Sequence, residues 1–253
     1  MMIMSKNKEL WKKIIAVVLL LAVWQAAAML LDQKIILASP VHVIERLFTI
    51  WKEPGFLATI GFSFIRIAGG FLSAFVIGCV LAVLAGRIHW VEILLSPVMV
   101  TIKSVPVASF IIIALVWLSS RQLSIFISFL MVLPVIYNNV LGGIKAIDPQ
   151  MNEMADVFRL SWRKRFRYIW LPTIKPHLYS GCTIALGLAW KSGIAAEVIG
   201  IPDGSIGEML YSAKAYLNTV DLFTWTVIIV IISICFEKLV LAALRLFFRK
   251  YIR

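Results

Sequence analysis

Apolar residues along this chain collect into long runs separated by short polar stretches. Six windows, at 14–31, 69–86, 94–118, 123–141, 174–199 and 222–244, are long enough to cross about 30 Å of hydrocarbon as helices. They predict an all-α integral membrane protein of about six transmembrane helices, with both termini on one side. Between the first two windows, Ser39-Pro40 opens an amphipathic segment and Pro54-Gly55 closes it. Its polar residues His42, Glu45 and Arg46 alternate with Val43, Ile44, Leu47 and Phe48, which reads as an external interfacial helix. The following run, 56–68, carries Arg66 and reads as a separate membrane-skimming helix that enters the second window through Gly69-Gly70.

Prolines and small residues refine these windows. Pro97 and Pro106 flank Thr101, Ile102, Lys103, Ser104 and Val105 in the third, and each removes a backbone donor. A broken helix, tolerated in lipid only where protein or water satisfies the freed groups, and an ordinary kink near the cytoplasmic end both fit. Pro134 in the fourth window reads as a kink. In the fifth, Gly181, Ala185, Ala189 and Gly193 recur every four residues, a stripe that permits close helix approach without naming the partner.

Composition and charge sharpen the class. With 61% hydrophobic and 15% charged residues, the chain lies far from soluble usage. A net charge of +12 could point to nucleic acid, but the basic residues cluster at the ends of apolar runs. With the N-terminus inside, sixteen of the 25 Lys and Arg fall on the cytoplasmic side. Lys34, Arg46, Lys52, Arg121 and Lys214 fall outside, and Arg66, Lys103, Lys191 and Lys238 lie at or within windows. This obeys the positive-inside rule, so nucleic acid is not an expected partner. Residues 1–13 read as a basic cytoplasmic N-terminus and 14–253 as a single transmembrane domain. Lys12-Lys13 and Ala26-Ala27-Ala28 would also suit a signal peptide, but the length of run 14–31 favours a retained helix. Cys79, Cys182 and Cys235 form neither a disulfide framework nor a metal spacing, and His42, His89 and His177 are too scattered to chelate.

The segment 148–172 differs from everything around it, being basic, amphipathic and too short to span. Asp148-Pro149 is a helix start, since the carboxylate can accept from an orphan amide and proline suits the first helical position. Met151, Met154, Ala155 and Phe158 then share a face. Ser161 can cap a second short helix in which Trp162, Phe166 and Ile169 continue the apolar spacing while Arg163, Lys164, Arg165 and Arg167 stay wet, and Pro172 ends it. Such a helix pair suits either a partner groove or anionic lipid. Glu153 and Asp156 oppose the lipid reading.

Glu153-Met154-Ala155, Ser161-Trp162 and Ile169-Trp170-Leu171-Pro172 resemble the cytoplasmic Glu-Ala-Ala loop of ABC importer permeases, which sits in a groove of the ATPase subunit. Over roughly 59–248 the chain is similar to permeases of nitrate, sulfonate and taurine type importers. The matching landmarks are Arg66-Ile67-Ala68-Gly69-Gly70-Phe71, Ser104-Val105-Pro106-Val107-Ala108, Asp148-Pro149 and Ala195-Ala196-Glu197-Val198-Ile199-Gly200. The resemblance implies a type I ABC importer permease fold with a coupling helix pair between helices 4 and 5, in a bacterial plasma membrane with both termini cytoplasmic. Its implied partners are two ATPase copies binding ATP and Mg, a second permease chain forming a homodimer, an extracytoplasmic substrate-binding protein, and membrane lipid. Glu153, Met154, Ala155, Phe158, Arg159, Ser161 and Trp162 would couple to the ATPase. The solute is expected to be small and polar: a sulfonate- or nitrate-like anion or, alternatively, a vitamin precursor such as a thiamine pyrimidine. Arg159 departs from the family pattern, which expects glycine there, so the turn is either ordinary or strained. Ser119-Ser120-Arg121-Gln122 stands where the family often has glycine-rich loop residues.

Charges within the windows are candidate functional groups because burial there is expensive. Lys191 and Lys103 are read as lining a translocation path, against snorkelling or pairing with Glu237. Glu197 is read as structural, bonding loop amides around 200–204. The chain has no Gly-x-x-x-x-Gly-Lys-Ser/Thr loop, so it is expected to bind no nucleotide cofactor and to be a non-catalytic subunit. Two other classes fit less well. An intramembrane protease fits poorly, since Gly61-Phe62-Ser63 is followed by Phe64 and His177 lies at the expected cytoplasmic end of its window, where a Ser/His pair is poorly placed. A self-contained secondary transporter would usually show internal repeats, and none is convincing.

Overall fold

The computed structural model describes residues 2–31 and 36–251; Lys34 and Arg253 of the charge tally lie outside them. The described residues form helices only: α1 Met2–Leu31, α2 Pro40–Ile50, α3 Phe56–Arg87, α4 His89–Ser104, α5 Val107–Ala114, α6 Ser120–Lys145, α7 Pro149–Val157, α8 Trp162–Arg165, a π turn Phe166–Trp170, α9 Leu171–Gly200, α10 Ile206–Ala215 and α11 Thr219–Tyr251. Five stretches among them are long and apolar enough to cross a membrane, and the bent pair α4–α5 makes up to six.

Two compact units divide the chain. The first comprises residues 1–58 and 209–228. Here Ser39 caps α2, its hydroxyl accepting from the His42 amide at 3.4 Å, and Pro40 occupies the first turn. Val43 and Ile50 are buried, while Val41, Ile44, Phe48 and Trp51 are exposed at helical spacing. Arg46 binds both Asp221 and Glu53. The bond to Asp221 holds the Arg46 guanidinium above its ordinary pKa, against the opposing effect of burial.

The second unit comprises residues 59–208 and 229–253, and its centre is the pairing of α6 with α9. Ala185 and Ala189 are fully buried, and Ser128 donates to the Ala189 carbonyl at 3.1 Å. A Cβ on Gly193 would lie 2.5 Å from Ser128 Oγ and 2.6 Å from Ile67, so only glycine lets the helices approach this closely. Gly181 faces Asn139 in the same way. The small-residue stripe of α9 thus meets α6, a partner the spacing alone could not name. Phe64, Phe71, Trp190 and Phe236 interlock nearby with centroid separations of 5.4 to 6.3 Å.

Two expectations change and one open choice is decided. Residues 56–68 are no separate helix, because α3 runs unbroken for 32 residues through Gly69-Gly70. Glycine costs about 1 kcal/mol in a helix interior, which close packing against α6 outweighs. The third window is broken rather than kinked, with α4 and α5 meeting at 101°. Val105 there is extended (ψ 133°), as a residue before proline tends to be, whereas Pro97 stays inside α4 and Pro134 inside α6. Finally, Pro172 does not end the helix begun at Trp162. The π turn lets the Leu171 amide bond the Phe166 carbonyl, and helix continues without a gap over Trp162–Gly200.

Candidate functional site

The segment 148–172 is built from its two ends inward. Asp148 Oδ1 accepts from the Gln150 amide at 2.9 Å, and Pro149 opens α7. The far end of α7 closes on a Schellman motif: the Leu160 amide bonds the Ala155 carbonyl at 2.9 Å and the Arg159 amide bonds Asp156 at 3.0 Å. This arrangement needs a left-handed residue between them, and Arg159 supplies it with φ +48°. Of the two turns open to Arg159, the strained one is adopted.

Ser161 stands at the N-cap of α8, but its side chain makes no capping bond. Arg165 forms an ion pair with Asp156, and Trp170 Nε1 donates to Asn152 at 3.1 Å, so two clamps tie α7 to the following helix. Trp162 stacks on Phe166 with centroids 5.7 Å apart. With Trp170, these rings wall a pocket of about 310 Å³ whose other side is Val83, Ile144 and Ile174.

What this scaffold displays is apolar. Val157 is 79% exposed and Phe158 71%, and Met151, Met154 and Trp162 are also exposed. Ala155, expected on the same face, is fully buried and packs inward. Glu153 is exposed beside the patch. Val157 escaped the sequence reading, although it lies three residues after Met154 and adjoins Phe158. An exposed apolar patch on a short, clamped helix pair is the chemistry of a docking surface.

The charged residues of the spanning helices separate into two kinds. Lys191 on α9 and Lys103 on α4 are exposed and form no ion pair among the described residues, so Lys191 does not pair with Glu237. Glu197 is fully buried. Its Oε2 accepts from Ser63 Oγ at 2.7 Å and from the Gly207 amide at 3.3 Å, while Ser63 Oγ accepts from the Ile206 amide at 2.9 Å. The amide served by Glu197 therefore belongs to the first turn of α10 rather than to loop 200–204. The Gly204 amide is taken by Glu208 at 2.6 Å. Ser63 is committed to this network and fully buried, which leaves it no role as a nucleophile. Arg66 donates to the Arg121 carbonyl at 2.8 Å and lies over the Phe62 ring.

The family of binding-protein-dependent transport system inner membrane components matches residues 74–253. A putative aliphatic sulfonates transport permease of Bacillus subtilis is 25% identical over 237 residues, 92% of this chain and 84% of the relative. A nitrate import permease of Synechocystis is 28% identical over 210 residues, 79% and 75% of the two chains. A taurine transport system permease of Escherichia coli is 27% identical over 226 residues, 87% and 82%. Among solved structures, an amino acid ABC transporter with histidines is similar in fold, with a TM-score of 0.52 and 18% identity, over 77% of this chain and 91% of that one.

Proposed function

The chain belongs to the inner membrane components of binding-protein-dependent transport systems, and from that premise we propose that its segment 148–172 docks the ATPase that drives transport. As a member it is a multi-pass, membrane-spanning permease subunit of an ABC importer. It is not itself an enzyme, and it works with an ATPase and a substrate-binding protein.

The observation that carries the docking reading is the exposed set Met151, Met154, Val157 and Phe158 on a helix outside the spans. Inside lipid such a face needs no explanation, whereas outside it the apolar area calls for a partner. Glu153, Arg159, Ser161 and Trp162 border it and complete the contact. Closure of the ATPases moves the segment, and the continuous helix Trp162–Gly200 carries that movement into the membrane. ATP and Mg bind the partner, since this chain has no phosphate-binding glycine loop. Two ATPases serve two copies of this chain, with both termini cytoplasmic, as the clustering of basic residues supports.

The cargo is a small anion. The relatives named for sulfonates, nitrate and taurine favour it, and so do two lysines in spanning helices with no carboxylate partner. Affinity purification of the permease from native membranes in mild detergent tests the docking. An ATPase should be recovered at one per permease chain and lost from Phe158→Glu and Glu153→Arg variants. Recovery of the permease alone, or equal recovery in all three, overturns the reading.

A further inference from the structure

The turn that closes α7 keeps a long side chain where its backbone prefers none. Arg159 holds φ +48°, a left-handed conformation that glycine enters freely and other residues enter at a cost. Both bonds that close the turn, from the Leu160 amide to the Ala155 carbonyl and from the Arg159 amide to the Asp156 carbonyl, are backbone bonds, so glycine would close it equally well. The guanidinium serves nothing within the chain. Arg159 is exposed, and its side chain has no hydrogen bond or ion pair among the described residues. Asp156, three residues earlier, is already taken by Arg165. Ile201 and Leu217 are left-handed too, but neither carries a charge. Arg163 and Lys164 are also exposed and without ion pairs among the described residues, so three cations stand directly after the exposed Val157 and Phe158. Of the exposed carboxylates, Asp148 caps the start of α7 and Glu153 lies near its middle, which leaves the cations gathered at one end. Backbone strain of this kind persists where a contact makes use of it.

We propose that Arg159 selects the ATPase: its guanidinium pairs with a carboxylate at the end of the ATPase groove that receives the turn between α7 and α8. The inference rests on the docking reading and adds where on the segment charge is recognised. A guanidinium presents planar, bidentate donors that an aspartate or glutamate matches. A turn held by two backbone bonds presents them from a fixed point, so little backbone freedom is lost on binding. Apolar contact through Val157 and Phe158 fits many grooves. A cation beside that contact penalises every groove that meets it with a lysine or an arginine.

The test measures binding of the ATPase recovered with the permease to permease held in lipid nanodiscs, at low and high salt and in neutral and anionic lipid. Arg159→Gly relaxes the turn, yet at low salt in neutral lipid it should bind the ATPase about tenfold more weakly than the wild type. High salt should shrink that difference to about twofold. Arg159→Lys, which keeps the charge and loses the fork, should fall between the two, and a water-soluble carbodiimide should couple its amine at position 159 to a carboxylate of the ATPase. A merely structural role predicts the opposite order, because glycine suits the turn better. Equal or tighter binding by Arg159→Gly overturns the pairing, and if Phe158→Glu still releases the ATPase the docking reading stands. An Arg159→Gly effect confined to anionic lipid assigns the guanidinium to the bilayer and also overturns the pairing. Absence of any ATPase from the wild-type permease overturns both.

Discussion

The docking segment and the Glu197 network invert one another. In the first, Val157 and Phe158 are held outward on a clamped scaffold outside the spans. In the second, Glu197, Ser63 and two backbone amides are sealed inside the membrane domain and bond only among themselves. Apolar surface is tolerated outside where another chain can cover it, and polarity is tolerated inside where geometry pairs most of it, Glu197 Oε2 being bonded while Oε1 is not. The stability of the fold should survive almost any side-chain change on the exposed patch of the first region, and almost none in the second.

The largest effect that would break this contrast lies inside. A Cβ on Gly207 would sit 2.3 Å from Glu197 Cβ and 2.4 Å from its carbonyl carbon, backbone that cannot swing away. Gly207→Ala should cost about 3 kcal/mol, read as a lower melting temperature in detergent. A tolerated alanine would mean that the α9–α10 junction is loose. Next comes the exposed patch: Val157→Glu should lower ATPase affinity about 30-fold, roughly 2 kcal/mol, while shifting the permease's own stability by less than about 0.5 kcal/mol. A large loss of fold stability there would erase the distinction between the regions.

A smaller effect concerns Arg159. Replacing this left-handed residue by glycine should stabilise the turn by about 1 kcal/mol, slowing hydrogen exchange at the Leu160 amide about fivefold. Smallest is Asp221→Asn in the first unit, which should cost at most about 1 kcal/mol and vanish in high salt. Because the folded Arg46 pKa is raised, its contribution is complete below the ordinary arginine range and lost only as pH rises through the raised value. Melting should therefore show no Arg46-dependent change between about pH 6 and 9.

Much of the architecture was legible in the sequence because the bilayer imposes one length scale, so five of the six apolar runs translate directly into candidate spans and the sixth into a bent pair. Where sequence and structure part, packing outweighs the local breakers. Gly69-Gly70 looked like a joint, but Gly70 sits where a Cβ would meet the Ile125 carbonyl at 2.5 Å, so it marks a helix contact. Pro172 looked like a terminator, but a one-turn widening absorbs it. At Val105-Pro106 the breaker did prevail, and the sequence alone left kink and break undecided. Within the docking segment, helical spacing grouped Ala155 with Met154 and Phe158. Only the packing of α7 shows that Ala155 faces inward and Val157 outward.

The unbroken helix from Trp162 to Gly200 has a mechanical consequence. Its 39 residues make a rod about 58 Å long, nearly twice the thickness of the hydrocarbon it crosses. An ordinary anchor has no use for such overhang. If the segment 148–172 docks an ATPase as proposed, the overhang is a lever arm: a force at the aromatic end reaches the buried Glu197 near the other end through one helix, with the widened turn and Pro176 as its weak points. The widened turn at 166–170 is a compliant element, where tightening to ordinary pitch would rotate everything beyond it by about 100° and advance it about 1.5 Å. A stroke of that size is a ratchet tooth, set by chain geometry rather than by the magnitude of the push.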